Sequence, residues 1–227
     1  VTDRVNRLAP FLRYDSDPYP AVVDGTVQWI LDAYTISDRY PYAQEANTDQ
    51  LSPGGGLNAS FNYVRNSVKA VVDAFTGDVT FYVIDPNDPI TAAWSKAFPK
   101  LFTDVSQAPA ELVKHFRYPE DLFRVQTNVY GRYQFDDSTL FFNRDAAGSV
   151  AQAPSSEPDS VTGVVGAVGG SAADGINVRD ASVLRFEPYY TMFHGGDGLG
   201  MPMFSMLRPF VPFSADNARK ELRALMV

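Results

Sequence analysis

Two stretches of the chain share one pattern, and that pattern constrains the fold more than any other feature. Residues 21–35 read AVVDGTVQWILDAYT, and residues 70–85 read AVVDAFTGDVTFYVID. Each begins Ala-Val-Val-Asp, passes a glycine and continues with β-branched and aromatic residues. An Asp-Gly pair supplies the positive φ angles of a tight hairpin turn. We therefore predict two β-hairpins, with Gly25 and Gly77 at positive φ. The repeated pattern is then a scaffold element that occurs twice and not a catalytic motif.

The residues that precede the second turn fit two structures. Phe61, Val64, Val68, Val71 and Phe75 have the spacing of one helix face. The following segment VTFYVI is strongly β-prone, and a strand requires a partner. We favour a strand that begins at about Val68.

Helix signals dominate the middle of the chain. Asp88 followed by Pro89 is an N-cap with proline at the first helical position. Pro109 precedes AELVKHF, and a third helix is predicted after Pro119, with Leu122, Val125, Val129 and Tyr133 on one face. Strand patterns return in SVLRFEPYYTMFH and MPMFSMLRPFVPF, and the last segment, NARKELRALMV, has a helical pattern. The sequence predicts an α+β fold, a mostly antiparallel sheet built from hairpins with several helices packed on it.

Composition excludes several classes of function. The 227 residues are 45% hydrophobic and 20% charged, as in a soluble globular protein. The net charge is −8, and no basic cluster is present. Because binding to nucleic acid depends on Lys and Arg that neutralise phosphates, we expect no nucleic-acid partner. The chain has no cysteine, which excludes disulfides and thiolate chemistry.

We expect residues 1–227 to form a single soluble domain excised from a larger protein. The start, VTDRVNRLAP, lacks an initiator Met and the apolar core of a signal peptide. Residues 146–182 are mostly Ala, Gly, Ser, Val and Pro, with no aromatic residue. We predict that they form a surface loop.

The usual motifs of metal and phosphate sites are absent from the sequence. The two histidines, His115 and His194, are far apart and lack metal-ligand spacing. The glycine-rich GGDGLG of residues 195–200 lacks the Lys-Ser/Thr of a phosphate-binding loop and is predicted to join two strands. We therefore expect no metal site and no cofactor.

Four aspartates occur in the two related stretches. Asp24 belongs to a turn and Asp85 to a strand end, but Asp32 and Asp73 lie within apolar strands. We expect both of these acids to point to solvent. An alternative stays open, in which the two carboxylates face one cleft and carry out acid–base chemistry.

Tyrosine next to arginine is the one unusual feature of the composition. The segments SDRYPYAQ and FNYVRNSVK flank the hairpins and would reach the same end of one sheet. Arginine offers forked donors, and tyrosine offers a stacking face with a polar tip. We predict a ligand-binding groove for an anionic or polyhydroxylated ligand, formed by Arg39, Tyr40, Tyr42, Tyr63 and Arg65. The same residues could instead tether irregular loops to the sheet.

Long segments of the chain resemble uncharacterised protein family 0182. They include DPYPAVVDGTVQWILDAYTISDRYPYAQ, NYVRNSVKAVVDAFTGDVTFYVIDPNDPITAAWSKAFPKLF and RYPEDLFRVQTNVYGRY. The resemblance covers most of residues 3–151 and resumes near residue 187. It implies a large multi-pass membrane protein with N-terminal transmembrane helices followed by a soluble region, to which this chain corresponds. It implies no activity and no catalytic residue.

The expected function follows from this resemblance. We predict a structural, ligand-binding or partner-binding domain of a cell-envelope membrane protein, on the extracytoplasmic side. Its expected partners are the remainder of the same protein, sister subunits or other envelope components. The alternative is an enzyme that acts on an envelope glycan or lipid precursor through paired carboxylates.

Overall fold

A computed structural model describes residues 1–46, 48, 51, 56–130, 138–143, 149–151, 186–194, 202–211 and 223–227. The chain divides into two compact units, an N-terminal unit of Val1–Leu122 and a C-terminal unit of Phe123–Val227. The single domain of residues 1–227 stays a prediction. The segment 146–182 lies outside the described residues except at 149–151. No helix in the described part of the chain is long and apolar enough to cross a membrane.

The N-terminal unit is built on a six-stranded sheet. The elements are α1 (Thr2–Leu8), β1 (Arg13–Tyr14), β2 (Tyr19–Val23), β3 (Thr26–Ser37), β4 (Tyr63–Asp73), β5 (Val79–Val83), α2 (Pro89–Ala97), β6 (Phe102–Asp104), a 3-10 turn (Val105–Gln107) and α3 (Ala110–Val113). The strand order is β1-β3-β4-β5-β6, and β2 also pairs with β3. All pairs are antiparallel except β5 with β6, which are parallel and joined through α2.

Both predicted hairpins form. β2 pairs with β3 around Asp24 and Gly25, whose φ angles are 50° and 79°. β4 pairs with β5, and Gly77 has a φ of 77°. Within the ambiguous residues 61–75, Tyr63–Asp73 form β4, which begins five residues before the position that we predicted. The β-prone second arm thus finds its partner in β4, and the predicted α+β class is confirmed.

Apolar side chains cover both faces of the central strands. Strand residues alternate between faces, so Leu31 and Ala33 project to one side of β3 and Ile30 to the other. The first face packs against the N-terminal segment, with a core of Val5, Ala9, Leu12, Tyr14, Leu31, Ala33, Val68, Ala70, Val72 and Phe81. The second core consists of Tyr19, Ala21, Val23, Ile30, Val71 and Leu112.

The C-terminal unit contains a four-stranded antiparallel sheet centred on β9. Its elements are the larger part of α4 (Glu120–Tyr130), which begins in the N-terminal unit, with α5 (Ser138–Asn143), β7 (Ser149–Val150), β8 (Tyr189–Phe193), β9 (Met203–Val211) and β10 (Arg223–Met226). The buried Arg208 of β9 binds α4, because its Nη1 donates to Thr127 Oγ1 at 2.7 Å and to Asn128 Oδ1 at 3.0 Å.

Two helix predictions need correction. The described end of the final segment is strand, because Arg223–Met226 pairs with residues 207–210 of β9, and this pairing outweighs local helix propensity. On α4, Leu122 and Val125 are buried as predicted, but Val129 is exposed. Tyr133 lies outside the described residues.

Replacing Gly25 with alanine tests the first hairpin turn. Nothing lies within 4 Å of the place that a Cβ would occupy, so backbone strain is the only cost. A left-handed conformation costs an L-residue about 1–2 kcal/mol. We expect Gly25→Ala to lower the free energy of unfolding by about 1 kcal/mol. The measurement is urea unfolding followed by fluorescence, since both tryptophans, Trp29 and Trp94, belong to the N-terminal unit.

The matched control is Asp24→Asn, because asparagine adopts positive φ readily. It should shift the free energy of unfolding by no more than about 0.5 kcal/mol. A Gly25→Ala variant as stable as the parent would contradict the described turn.

Candidate functional site

Asp88 is a buried acid that accepts hydrogen bonds from several parts of the N-terminal unit. It caps α2, and its carboxylate accepts the backbone N–H groups of Ile90 at 3.2 Å and Thr91 at 3.1 Å. It also accepts the hydroxyls of Thr35 at 2.7 Å, Ser67 at 2.8 Å and Thr91 at 2.6 Å. The side chain is fully buried. The predicted N-cap is therefore also the anchor that fastens α2 to β3 and β4.

A bulge in β4 makes this anchor possible. Ala33 pairs with Val68 and Thr35 with Arg65, so β4 uses one residue more than β3 over this step. Bulges of this kind redirect side chains. Ser67 and Thr35 consequently donate to the same oxygen of Asp88.

The structure brings three of the predicted ligand-binding residues to one end of this sheet. Ser37 is opposite Tyr63, and the rings of Tyr40 and Tyr63 stack with centroids 5.8 Å apart. The Tyr63 hydroxyl donates to Asp88 Oδ1 at 2.6 Å, and Arg65 Nη1 donates to Asp85 Oδ2 at 2.8 Å. Burial and the bond to Asp88 raise the pKa of Tyr63 to about 12. Tyr63 and Arg65 thus both have internal partners.

The other two predicted residues face solvent. The side chain of Arg39 is 91% exposed and lies 3.7 Å from Asp38. Tyr42 is fully exposed and has a φ of 60°, which is uncommon for a residue with a side chain. The loop that carries them is held by Asn62, whose side chain bonds the backbone of Tyr40.

Asp32 and Asp73 do not share a cleft. Asp73 Oδ1 caps the second turn by accepting the N–H groups of Phe75 and Thr76, both at 2.8 Å. These bonds lower the pKa of Asp73. Asp32 is paired with Lys69 on β4. Lys69 precedes Asp73 by four residues, which separates the two by about 13 Å along the strand.

Asp32 is buried, so the expectation that it points to solvent is wrong. Its Oδ1 contacts Lys69 Nζ, and both side chains are only 3% exposed. Lys69 Nζ also donates to Arg117 O at 2.7 Å and lies 5.5 Å from the centre of the Phe116 ring. The paired opposite charge makes burial of the acid tolerable. Burial raises the pKa of Asp32, against the lowering effect of Lys69.

Two further acids lie close to this ion pair. Asp15 N donates to Asp32 O at 2.9 Å, and Asp15 Oδ2 accepts the Tyr34 hydroxyl. Asp15 and Asp121 cap one another: Asp15 Oδ2 accepts Asp121 N at 3.2 Å, and Asp121 Oδ2 accepts Ser16 N at 3.4 Å. A carboxylate at the first turn of α4 is favourable because the helix N-terminus carries partial positive charge.

We call Asp15, Asp32, Tyr34, Lys69 and Asp121 the buried ionic centre. Of its members, sequence reasoning singled out only Asp32 and missed the other four. Asp15 and Asp121 have the appearance of turn and helix-start acids. Lys69 carried one usable signal: it lies in an apolar strand, as Asp32 does, and opposite charges in two such strands can pair. The centre holds an amine and several carboxyl groups in a closed apolar interior.

The described residues give no support to a metal site. They contain no cluster of three or more His, Asp or Glu arranged to hold a metal ion. His115 and His194 are both exposed. A groove of about 400 Å³ lies beside α2, where Val83, Thr91, Lys96, Phe102 and Asp104 contribute to its lining. It contains none of the predicted ligand-binding residues.

Removing the charge of Asp88 should weaken the N-terminal unit at neutral pH. Burial raises the pKa of this carboxyl, but the bonds from Thr91, Tyr63, Thr35 and Ser67 outweigh burial and lower it from 3.8 to about 2. Since the folded pKa is depressed, the stabilisation is complete above pH 3.8 and is lost as pH falls through about 2. We expect Asp88→Asn to lower the free energy of unfolding at pH 7 by about 2 kcal/mol.

The pH dependence and a matched variant make this prediction specific. Urea unfolding between pH 7 and pH 2 should show that the difference between parent and Asp88→Asn shrinks in acid. Asp104→Asn is the control. Asp104 is exposed, and the one backbone N–H that its side chain accepts among the described bonds is that of Ser106, in the 3-10 turn. Asp104→Asn should lower the free energy of unfolding clearly less than Asp88→Asn does. Equal losses in the two variants would contradict the anchoring role.

The comparison with known proteins identifies the family. The profile described as "Uncharacterised protein family (UPF0182)" matches residues 1–227. A UPF0182 protein of Methanospirillum hungatei is 39% identical over 96% of this chain and 21% of its own length, and one of Trichodesmium erythraeum is 36% identical over 96% and 22%. A UPF0182 protein of Clostridium acetobutylicum is 49% identical over 64% of this chain and 15% of its own length.

No solved structure matches the chain. The chain spans about a fifth of the length of the relatives from Methanospirillum hungatei and Trichodesmium erythraeum. The profile match and these identities agree over nearly the whole chain. The chain belongs to the uncharacterised protein family UPF0182.

Proposed function

We propose that this chain is a structural, partner-binding domain of a longer multi-pass membrane protein of the cell envelope, on the extracytoplasmic side. Its partner is the remainder of the same protein. The relatives support this proposal because they are about five times as long as the matched segment. The N-terminal unit buries several polar side chains and keeps a group of large apolar side chains in solvent.

The exposed apolar group is the observation that carries the proposal. Val22, Val27 and Phe75 are 66%, 43% and 96% exposed. Val22 and Val27 are cross-strand partners, and Ala74 N bonds Val27 O at 2.9 Å, which places the second turn beside the first. We call these three residues the hairpin-end patch. Exposed apolar side chains grouped in this way are typical of interaction surfaces.

The charges around the patch favour a protein partner. Asp24 and Asp78 are exposed in the two turns, Asp73 lies at the end of β4, and one cation, Arg4, bonds Gly77 O in the second turn. The three acids outnumber this cation. Acids at this position repel anionic lipid headgroups. They attract Lys and Arg, so the complementary surface is apolar at its centre and basic at its rim.

Single cysteines test both the membrane side and the contact. Because the chain contains no cysteine, Lys100→Cys and Phe75→Cys each add one thiol to this segment of the full-length protein. We expect a membrane-impermeant maleimide to label Lys100→Cys in intact cells. We expect Phe75→Cys to react at least tenfold more slowly in the full-length protein than in the 227-residue chain, because the partner covers it.

The controls separate the two claims. The full-length parent measures thiols elsewhere, and Val68→Cys, which is fully buried, should react only after denaturation. Labelling of Lys100→Cys only after permeabilisation would refute the extracytoplasmic side. Equal reaction rates for Phe75→Cys in the two proteins would refute the covered patch.

The Tyr–Arg end of the sheet supports a second, ligand-binding role. Tyr63 and Arg65 are fixed by Asp88 and Asp85, and the Tyr63 ring stacks on Tyr40. Arg39 and Tyr42 face solvent. A guanidinium beside tyrosine faces suits an anionic headgroup. We propose that this surface binds a phosphate-bearing envelope lipid.

Binding of a polyprenyl phosphate in detergent micelles measures this role. Arg39→Ala should bind at least tenfold more weakly without loss of stability, because the Arg39 side chain is 91% exposed. Arg13→Ala is the control, since Arg13 is an exposed arginine of β1 outside this cluster. Undetectable binding by the parent, or equal affinities for parent and Arg39→Ala, would refute the ligand site.

A further inference from the structure

We propose that Lys69 and Asp32 become joined by an intramolecular isopeptide bond that the N-terminal unit forms without an enzyme. The two side chains lie directly opposite each other on β3 and β4, and Lys69 Nζ contacts Asp32 Oδ1 in the closed interior. The product would be an amide between two neighbouring strands, a modification site that is independent of the proposed function.

The sheet holds the two reacting groups together before any reaction. Ile30 pairs with Val71 and Leu31 with Ala70, so the register around Asp32 and Lys69 is fixed by buried apolar residues on both faces. Alternation places Asp32 and Lys69 on the same face. Holding an amine against a carboxyl group in this way replaces a bimolecular encounter by an intramolecular one, which accelerates such reactions by many orders of magnitude.

Burial favours the neutral form of Asp32, one of the two groups that react. An ammonium ion has no lone pair, and a carboxylate has no good leaving group, so the amine and the carboxylic acid are the reactive species. Both side chains are 3% exposed, and Phe116 lies beside the nitrogen. Burial raises the pKa of Asp32, and the negative charge of Asp15 raises it further, against the opposing effect of Lys69. Transfer of one proton from Lys69 to Asp32 therefore gives the reactive pair.

The reaction is a condensation without a redox step. The lone pair of Lys69 Nζ attacks Asp32 Cγ and forms the carbon–nitrogen bond. The carbon–hydroxyl bond of the acid then breaks, and the hydroxyl takes one proton from the nitrogen and leaves as water. The amine has lost one hydrogen, the acid has lost its hydroxyl group, and one amide and one water are formed.

The surrounding structure accommodates the product. Lys69 Nζ already donates to Arg117 O at 2.7 Å, and the single N–H of the amide can keep this bond. The reaction also replaces two buried ions by one neutral group, which removes the cost of keeping a desolvated ion pair. The acids Asp15 and Asp121 keep their bonds to Tyr34, Ser16 and the start of α4.

Mass spectrometry of the purified 227-residue chain tests the proposal. We expect an intact mass lower than the sequence mass by one water. Asp24-Gly25 can also lose water by forming a succinimide, so a tryptic digest must decide. An isopeptide bond blocks cleavage after Lys69 and joins peptide 14–39, which contains Asp32, to peptide 66–96. Fragmentation of this joined species should locate the bond between Asp32 and Lys69.

Variants confirm the assignment. Lys69→Arg and Asp32→Ala should each restore the full mass and abolish the joined peptides. Lys114→Arg is the matched control, because Lys114 is exposed and pairs with Glu111 at 2.6 Å, and it should keep the cross-link. The tryptic digest of the parent shows whether the cross-link is present even if a variant fails to fold. Free peptides 14–39 and 66–69 in the parent, with no joined species, would overturn the proposal and leave an ordinary ion pair.

Discussion

The antiparallel pairing of β3 with β4 is the constraint on which the N-terminal unit depends. Both strands are buried on both faces along their centre, and every other strand of that sheet joins one of them directly or through β5. A slip of one residue would exchange the two faces. It would also separate Asp32 from Lys69 and leave an uncompensated charge in the interior, at a cost of about 3–5 kcal/mol. The ion pair therefore selects the register, whatever it contributes to net stability.

Two groups of buried acids hold the helices that lie near β3 and β4. Asp88 gathers hydroxyl and backbone donors, so a helix cap becomes a fixed link between α2 and the sheet. Asp15 and Asp121 cap each other across more than a hundred residues, which fixes the start of α4 against the end of β1. In both places the carboxylate satisfies backbone groups that the end of a helix leaves unpaired. These acids have a structural role, because their carboxylates accept hydrogen bonds from neighbours within the unit.

The Tyr–Arg cluster could be located from sequence, but the role of each member could not. The prediction that both segments reach one end of the sheet follows from strand pairing, and β3 and β4 place Ser37 opposite Tyr63. Whether an arginine is a tether or a ligand donor depends on what lies across from it. Asp85 lies beside Arg65, whereas the acid nearest to Arg39 within the described ranges is the exposed Asp38. That difference arises from the loop after β5 and leaves no trace in the local sequence.

By itself, the sequence determined the elements that local chemistry controls. Asp-Gly fixed the first hairpin turn, Asp-Pro fixed the start of α2, and the alternation of apolar residues fixed the α+β class. The tertiary structure alone decided that the last described residues form a strand on β9, because a partner strand outweighs weak helix propensity. It also decided that Asp15, Lys69 and Asp121 meet in a closed interior. Their burial depends on contacts between residues far apart in the chain, and single-residue patterns do not record such contacts.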